Sequence, residues 1–511
     1  MALEQGNSTC VVGTRTEGTS ALNGKSSIPP QVRAAFGPAP IVEELHPVPD
    51  PWELFSKVQS LPYPLFLDSA LRHATLGRYS VITADPFRTL TSYRGRCRVS
   101  GESVPRTAAD PLKVLAELLT EFHCEPIPGL PPFQAGAAGL FGYDLCHHIE
   151  NLPRPRIDDF HTPDMAVGFY DWVISFDHQQ HRAWLISTGL PENEPKRRRA
   201  RAEHRARDVL HRLREPVPLI APTRSPRCEL GSAQFNVGDL PGLTSNFDRP
   251  AYLTAVRRAI EYIHAGDCFQ VNLAQRLMVP AEMPPLDLYA RLRERNPATF
   301  AAYFDLGDFV IASASPERFV KVLEGEVETR PIKGTAPRAG SPEQDKLLVK
   351  NLLASAKDRA ENIMIVDLLR NDLGRVCRYG SVHVPALCRL ESYAYVHHLV
   401  SEVRGRLRED LGPVDLIRAA FPGGSVTGAP KIRAMEIIAE LEPTARGPYC
   451  GSLGYIGFDG SMDTNILIRT FTLGRGWAQF PVGGGIVADS DPEREYEETW
   501  HKAEGLLRAL R

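Results

Sequence analysis

Short apolar runs broken by glycine, proline and polar residues most restrict the fold of this 511-residue chain. Runs of this kind predict β-strands, and they occur at 62–69, 79–84, 165–176, 183–187, 299–305, 308–313, 452–458 and 465–473. Apolar residues at helical spacing predict helices at 111–122, 196–214, 248–264, 286–295, 358–373, 431–441 and 492–510. The pattern therefore predicts a mixed protein of strands and helices with a large core.

Composition divides the chain into parts. Residues 1–40 are rich in Gly, Ser, Thr and Pro and lack apolar periodicity, which predicts a disordered N-terminal arm. Residues 216–246 have similar features and form the best linker candidate. This linker separates an N-terminal region at 41–215 from a catalytic region at 247–511, although the two regions could share one core.

Charge and cysteine content exclude several classes of protein. A net charge of -3 gives no reason to expect nucleic acid or an anionic membrane as a partner. The basic segment at 196–214 carries no aromatic residues, which is typical of a solvated helix face. No apolar run of about 18 residues occurs, so no membrane span is expected. The nine cysteines form no C-x-x-C pair, which favours a reduced, cytoplasmic protein.

Lys333 stands out because it lies in a segment bounded by proline and glycine, Arg330 to Arg338. The sequence predicts a tight turn here, with the two arginines discouraging the amine from holding its proton. A lysine of lowered pKa is a nucleophile. The alternative is an ordinary surface turn with a solvated lysine.

Two further segments carry candidate chemistry, an anion-binding glycine loop and a possible general acid. The glycine loop Gly423 to Lys431 opens a helix, so its free N–H groups could meet a phosphate or a carboxylate. Ala429 and Pro430 interrupt the Gly-Lys pair that a nucleotide-binding P-loop requires, which excludes that motif. Glu317 follows a predicted strand and would be a general acid if buried, or a solvated charge at the strand end if not.

Acidic residues on two predicted helices suggest a metal site. Glu498 and Lys502 are four residues apart and share a helix face, where an exposed ion pair is the ordinary outcome. Glu361 could equally be a surface residue. Alternatively, Glu361 and Glu498 together could supply the one or two carboxylates that Mg²⁺ commonly takes.

Taken together, these motifs resemble those of the chorismate-utilising enzymes, a family that contains the aminodeoxychorismate, anthranilate, isochorismate and salicylate synthases. The resemblance is close from about residue 245 to the C-terminus and looser at 40–190, and the motifs occur in the family's order. It implies an α+β fold in which two mainly antiparallel β-sheets pack as a sandwich. Helices would lie outside, and the active site would occupy the central cleft.

The resemblance also implies roles for individual residues. It implies Mg²⁺ bound by Glu361 and Glu498. The substrate chorismate would be bound by a larger set: His398, Thr427, Gly428, Tyr449, Arg469, Gly483, Gly484, Gly485 and Lys502.

Two positions distinguish members of the family. Isochorismate and salicylate synthases have a water-activating lysine where this chain has Gln270, and anthranilate synthases usually have alanine where it has Lys333. The resemblance therefore implies the aminodeoxychorismate type, in which Lys333 attacks C2 of chorismate while Glu317 protonates the departing C4 hydroxyl. The product would be 4-amino-4-deoxychorismate, a precursor of p-aminobenzoate and folate. Two alternatives stay open: an anthranilate synthase large subunit, and a catalytically silent chorismate-binding subunit.

The same resemblance implies partners and a second pocket. No glutaminase or lyase domain is recognised in the chain, so a separate glutamine amidotransferase subunit and a separate aminodeoxychorismate lyase are expected. A candidate tryptophan pocket would include Asp68, Ser69, Asn296 and Pro297. The segments that contain these two residue pairs both differ from the motifs of feedback-sensitive family members. The sequence therefore leaves tryptophan binding open.

Overall fold

The structure is a computed structural model that describes residues 40–72, 76–102, 106–107, 109–218, 226–393 and 396–511. Apart from Pro40, the predicted disordered arm lies outside these residues. The helices are α1 (Pro51–Val58), α2 (Pro111–Glu121), α3 (Pro195–Arg214), α4 (Arg249–His264), α5 (Pro285–Arg295), α6 (Pro342–Ala354), α7 (Ala356–Gly374), α8 (Pro413–Ala420), α9 (Lys431–Leu441) and α10 (Pro492–Leu510). Short 3₁₀ turns occupy Tyr143–His148 and Gly424–Val426.

The strands alternate with these helices along the chain. They are β1 (Ile41–Glu44), β2 (Leu65–Asp68), β3 (Tyr79–Thr83), β4 (Arg88–Tyr93), β5 (Arg96–Val99), β6 (Arg106–Thr107), β7 (Gly136–Phe141), β8 (Met165–Tyr170), β9 (Trp172–Asp177), β10 (Arg182–Ser187), β11 (Phe235–Asn236), β12 (Thr244–Ser245), β13 (Gln270–Pro280), β14 (Phe300–Asp305), β15 (Phe309–Ser315), β16 (Arg318–Leu323), β17 (Glu326–Thr329), β18 (Ile332–Pro337), β19 (His383–Ser392), β20 (Val396–Arg406), β21 (Gly428–Ala429), β22 (Ser452–Gly457), β23 (Met462–Asn465), β24 (Thr470–Gly474) and β25 (Trp477–Ile486).

Two antiparallel sheets contain these strands. The first has the order β1-β10-β9-β3-β2-β14-β15-β24-β25-β13-β12-β11, with β21 paired to β13. The second has the order β18-β20-β17-β16-β23-β22-β7-β8-β4-β5-β6, with β19 paired to β20. One apolar cluster joins side chains of both sheets, including Leu65 and Ile311 of the first with Leu140 and Leu453 of the second. Separate clusters join each sheet to helices on its outer face, which confirms the predicted sandwich.

Strands of the N-terminal and catalytic regions are neighbours in both sheets. In the first sheet β2 pairs with β14, and in the second β7 pairs with β22. The predicted linker at 216–246 contributes β11 and β12 to the first sheet. The two regions therefore build one shared core between them.

Capping side chains fix the start of the two helices that carry acidic site residues. The Ser355 hydroxyl accepts a hydrogen bond from the amide of Asp358 at the start of α7. The Asp491 carboxylate likewise accepts from the amide of Arg494 at the start of α10. Such caps satisfy amides that have no partner within the helix. Neither these helices nor any other in the described residues is long and apolar enough to cross a membrane.

Three predicted elements were wrong in detail. The segment around Lys333 is strand β18, not a tight turn, and its pairing with β20 shifts register between Ile332 and Thr335. The predicted strand at 165–176 is divided into β8 and β9 at Asp171. The predicted strand at 465–473 ends as β23 at Asn465 and resumes as β24. Period-2 and apolar patterns do not reveal such breaks, because the residues on both sides stay buried.

Candidate active site

One cavity of about 510 Å³ collects most of the predicted site residues. It lies where β18 and β20 of the second sheet approach β13 and β25 of the first, with α7 and α10 beside it. Ten predicted residues line it: Glu317, Lys333, Glu361, His398, Tyr449, Arg469, Gly483, Gly485, Glu498 and Lys502.

Glu317 and Lys333 meet at a single residue of the glycine loop, Ser425. The Ser425 hydroxyl donates to Glu317 Oε1 over 2.8 Å. The Lys333 ammonium donates to the Ser425 carbonyl oxygen over 3.2 Å. The register shift in β18 and the positive φ of Gly334, 86°, accompany this placement of Lys333. The acid and the amine therefore act on the same part of the cavity.

Burial changes the proton affinity of both groups. It raises the pKa of Glu317 from 4.5 to about 7, against the opposing effects of Ser425 and Lys333. Burial also lowers the pKa of Lys333, although Glu361 and Glu317 oppose the change. Desolvation disfavours whichever form is charged. Near neutral pH the site can therefore present a protonated carboxyl beside an amine that releases its proton more readily than usual.

The two arginines that flank β18 do not produce this effect, contrary to the sequence-based argument. Arg330 is paired with Glu391 and Glu402, and Arg338 is paired with Asp345. Their charges are neutralised locally.

A cluster of carboxylates and lysines occupies the other side of the cavity. Glu498 Oε1 lies 2.7 Å from Lys502 Nζ, and Glu361 Oε1 lies 4.0 Å from Lys357 Nζ. Burial would raise the pKa of Glu498, but Lys502 and the neighbouring lysines outweigh it and the pKa is lowered. Burial raises the pKa of Glu361. The predicted pair Glu361 and Glu498 thus lies on two helices that face one cavity.

Glu495 adds a third carboxylate that the sequence argument missed. It is buried, its Oε1 accepts from Ser490, and its Oε2 has no hydrogen-bond partner. A Cβ added to Gly484 would lie 3.2 Å from that oxygen and 3.7 Å from Glu498 Oε1. Because Gly484 has no side chain, the space beside these two carboxylate oxygens stays open.

The donor set fits Mg²⁺. No group of three or more His, Cys, Asp or Glu side chains in the described ranges forms a complete protein cage for a metal. Mg²⁺ does not need one, because it commonly takes one or two carboxylates and completes its shell with water and substrate oxygens. Glu361 and Glu498, which both line the cavity, offer two such carboxylates.

The remaining wall is suited to an organic anion. Arg469 lines the cavity, and among the described residues no carboxylate is identified as acting on its pKa. Burial lowers the pKa of Arg469. Burial and Arg469 together lower the pKa of His398 to about 4, so this ring is neutral at neutral pH. A half-buried guanidinium that faces a cavity is a strong receptor for a carboxylate.

Three predicted residues, Thr427, Gly428 and Gly484, do not line the cavity. The Thr427 hydroxyl donates to the Gly423 carbonyl within the glycine loop. Gly428 pairs with Val271, and a Cβ there would lie 2.1 Å from the Gln270 carbonyl oxygen. Gly484 pairs with Leu273 in the ladder between β13 and β25. These residues shape the loop and the strand behind the site.

The candidate tryptophan pocket corresponds in part to a second cavity of about 360 Å³. Asp68 and Ser69 line it, whereas Asn296 and Pro297 do not, and Thr299 lines it instead. The carboxylate of Asp68 is paired with Arg293 at 2.9 Å. The sequence left tryptophan binding open, and this geometry does not test it.

Sequence reasoning also missed Ser425 and Lys357. Glu495 and Lys357 carried a usable signal, because each lies three or four residues before a predicted metal ligand on the same helix face. For Ser425 the only signal in the sequence was its position in the glycine loop.

Comparison with known proteins identifies the family. A family model described as chorismate binding enzyme matches residues 68–508. The chain belongs to the chorismate-binding enzyme family. More closely, it is a chorismate-utilising enzyme of the aminodeoxychorismate synthase and anthranilate synthase type. It is 44% identical to aminodeoxychorismate synthase component 1 of Escherichia coli (strain K12) over 463 residues, which cover 89% of this chain and 95% of that protein. It is 42% identical to anthranilate synthase component 1 of Thermus thermophilus, covering 87% and 92%.

Solved structures show the same fold. Anthranilate synthase component I from Streptococcus pneumoniae superposes with a TM-score of 0.72 at 34% identity, covering 84% of this chain and 92% of that chain. The menaquinone-specific isochorismate synthase from Escherichia coli gives a TM-score of 0.66 at 17% identity, covering 94% and 97%. The second match supports the fold alone.

Proposed function

We propose that the chain is the large subunit of an aminodeoxychorismate synthase, which converts chorismate and ammonia to 4-amino-4-deoxychorismate. Overall identity does not decide between the two activities, because relatives of both types match at 44% and 42%. The observation that carries the proposal is Lys333, whose Nζ enters the same cavity as Glu317 and lies 3.2 Å from the Ser425 carbonyl.

In the first step the neutral Lys333 amine attacks C2 of chorismate. The two conjugated ring double bonds shift, the C4 hydroxyl departs, and Glu317 supplies the proton with which it leaves as water. The raised pKa of Glu317 supports this role, because a carboxyl with a pKa of about 7 holds its proton near neutral pH. Arg469 is proposed to bind a substrate carboxylate and to keep the ring oriented.

In the second step ammonia attacks C4 and the lysine leaves from C2 with its electron pair. The enolpyruvyl group stays on the ring, so no pyruvate is formed. Gln270 is uncharged and cannot serve as the base that would activate water, which disfavours a hydrolytic outcome. Glu361 and Glu498 would hold Mg²⁺, which would supply positive charge to substrate oxygens when bound.

The ammonia is proposed to come from a separate glutamine amidotransferase subunit. The comparison proteins are named as component 1, and that name supports a second component. A separate aminodeoxychorismate lyase would then act on the released product. The product is proposed to serve p-aminobenzoate and folate synthesis.

One experiment separates the proposal from its main alternative. The purified chain is incubated with chorismate, Mg²⁺ and ammonium, and products are identified by mass spectrometry with a pyruvate assay in parallel. An amino product that retains its enolpyruvyl group, without pyruvate, is expected. Anthranilate with an equal amount of pyruvate would establish an anthranilate synthase. No turnover of chorismate would favour a silent binding subunit.

A further inference from the structure

Ser425 has no role in the steps above, yet it contacts both of their protein groups. It is 7% exposed and lies in the 3₁₀ turn of the glycine loop. Its hydroxyl donates to Glu317 Oε1 over 2.8 Å, and its carbonyl accepts from Lys333 Nζ over 3.2 Å. One residue therefore fixes the distance between the proposed acid and the proposed nucleophile.

The direction of the first hydrogen bond has a chemical consequence. A hydroxyl that keeps donating to Oε1 when Glu317 is protonated leaves Oε2 to carry the carboxyl proton. A carboxyl without this contact could carry its proton on either oxygen and rotate between the two arrangements. The contact thus selects one oxygen of Glu317 as the proton donor.

We infer that Ser425 is a positioning residue for the acid, which holds Glu317 so that Oε2 delivers the proton to the departing hydroxyl while the Ser425 carbonyl holds the Lys333 amine. This inference rests on the proposed function. It gives the glycine loop a part in proton transfer, in addition to the anion binding expected of its amide groups. Other groups that act on the Glu317 carboxyl are the Lys333 amine and the Ile332 amide, with the Cys450 thiol also nearby.

The test compares Ser425→Ala with Ser425→Thr. Alanine removes the hydroxyl and retains the carbonyl that holds Lys333, whereas threonine retains both. The matched control is Ser315→Ala, because the buried Ser315 hydroxyl contacts the backbone of Glu317 at 3.3 Å and not its carboxyl. For each variant, kcat and KM for chorismate are measured with ammonium and Mg²⁺ across pH 6 to 9, and folding is checked by denaturation.

For Ser425→Ala we expect kcat to fall about tenfold or more, with KM nearly unchanged, because proton transfer depends on geometry. The alkaline limb of the pH profile should move upward by about one pH unit, since a lost donor to a carboxylate favours its protonated form. Ser425→Thr should restore both values. Ser315→Ala should lower stability without moving the alkaline limb.

Three results would overturn the inference. An unchanged profile in Ser425→Ala would show that the hydroxyl does not act on the acid, and an equal shift in Ser315→Ala would reduce the effect to general packing. Glu317→Gln, measured in parallel, separates the two levels of the argument. If that variant is inactive while Ser425→Ala behaves like the parent, only the role of Ser425 is wrong. If Glu317→Gln keeps full activity, the proposed acid itself is wrong.

Discussion

Replacing Glu317 by glutamine should make the protein more stable at alkaline pH while it abolishes turnover. Glu317 is 6% exposed, and glutamine has nearly the same shape without an ionisable proton. Burial raises the pKa of this carboxyl from 4.5 to about 7 in the folded chain. In the unfolded chain the group ionises at its ordinary value. Between these two pKa values the unfolded state releases a proton that the folded state retains.

The magnitude follows from linkage. A group whose pKa is raised on folding stabilises the folded state fully below its unfolded pKa, and this stabilisation is lost as pH rises through the folded pKa. A rise of about 2.5 units corresponds to about 3 kcal/mol, at about 1.4 kcal/mol per unit. Glutamine lacks this dependence. The stability of Glu317→Gln relative to the parent should therefore increase by about 3 kcal/mol between acid and alkaline conditions.

The assay is denaturant unfolding of parent and variant below pH 4.5 and above pH 7, monitored by tryptophan fluorescence. Because both proteins share every other titratable group, the difference between them isolates Glu317. Glu497→Gln on α10 controls for the loss of an exposed carboxylate as such. A stability difference that is the same at both pH values, to within about 0.5 kcal/mol, would refute the argument that burial controls this proton. Turnover should fall about 100-fold or more, the usual contribution of a general acid.

Three other changes test the rest of the site. Lys333→Ala should abolish turnover, and intact-mass spectrometry should no longer detect a chorismate-derived adduct on the protein; full activity would exclude a covalent role. Arg469→Lys should weaken chorismate binding about 10- to 100-fold, because a planar bidentate donor is lost, and KM should rise more than kcat falls. The buried Arg276→Lys is its control, since that arginine pairs with Asp159 away from the cavity. Glu498→Gln should lower Mg²⁺ affinity in titration calorimetry, whereas equal affinity in parent and variant would remove Glu498 from the metal site.

Much of the fold could be predicted from local patterns. The helices α2, α4 and α10 were predicted to within a residue or two, because each has a regular apolar stripe and a proline in its first turn. The irregular segments could not be predicted in this way. The strand character of β18 depends on pairing with β20, and local composition around Lys333 favours a turn.

The sequence by itself determined the family, because the motifs around Lys333 and Glu361 are contiguous stretches that occur in the family's order, and it supplied the candidate site residues. Only the tertiary structure decided which groups act on one another. It paired Arg330 with Glu391 and Glu402. Burial is therefore the main cause that lowers the pKa of Lys333, with a smaller contribution from Lys502 and none from the arginine of its own segment. It also placed Ser425 against Glu317. Desolvation and hydrogen bonding depend on contacts between segments far apart in the chain, and no local pattern encodes them.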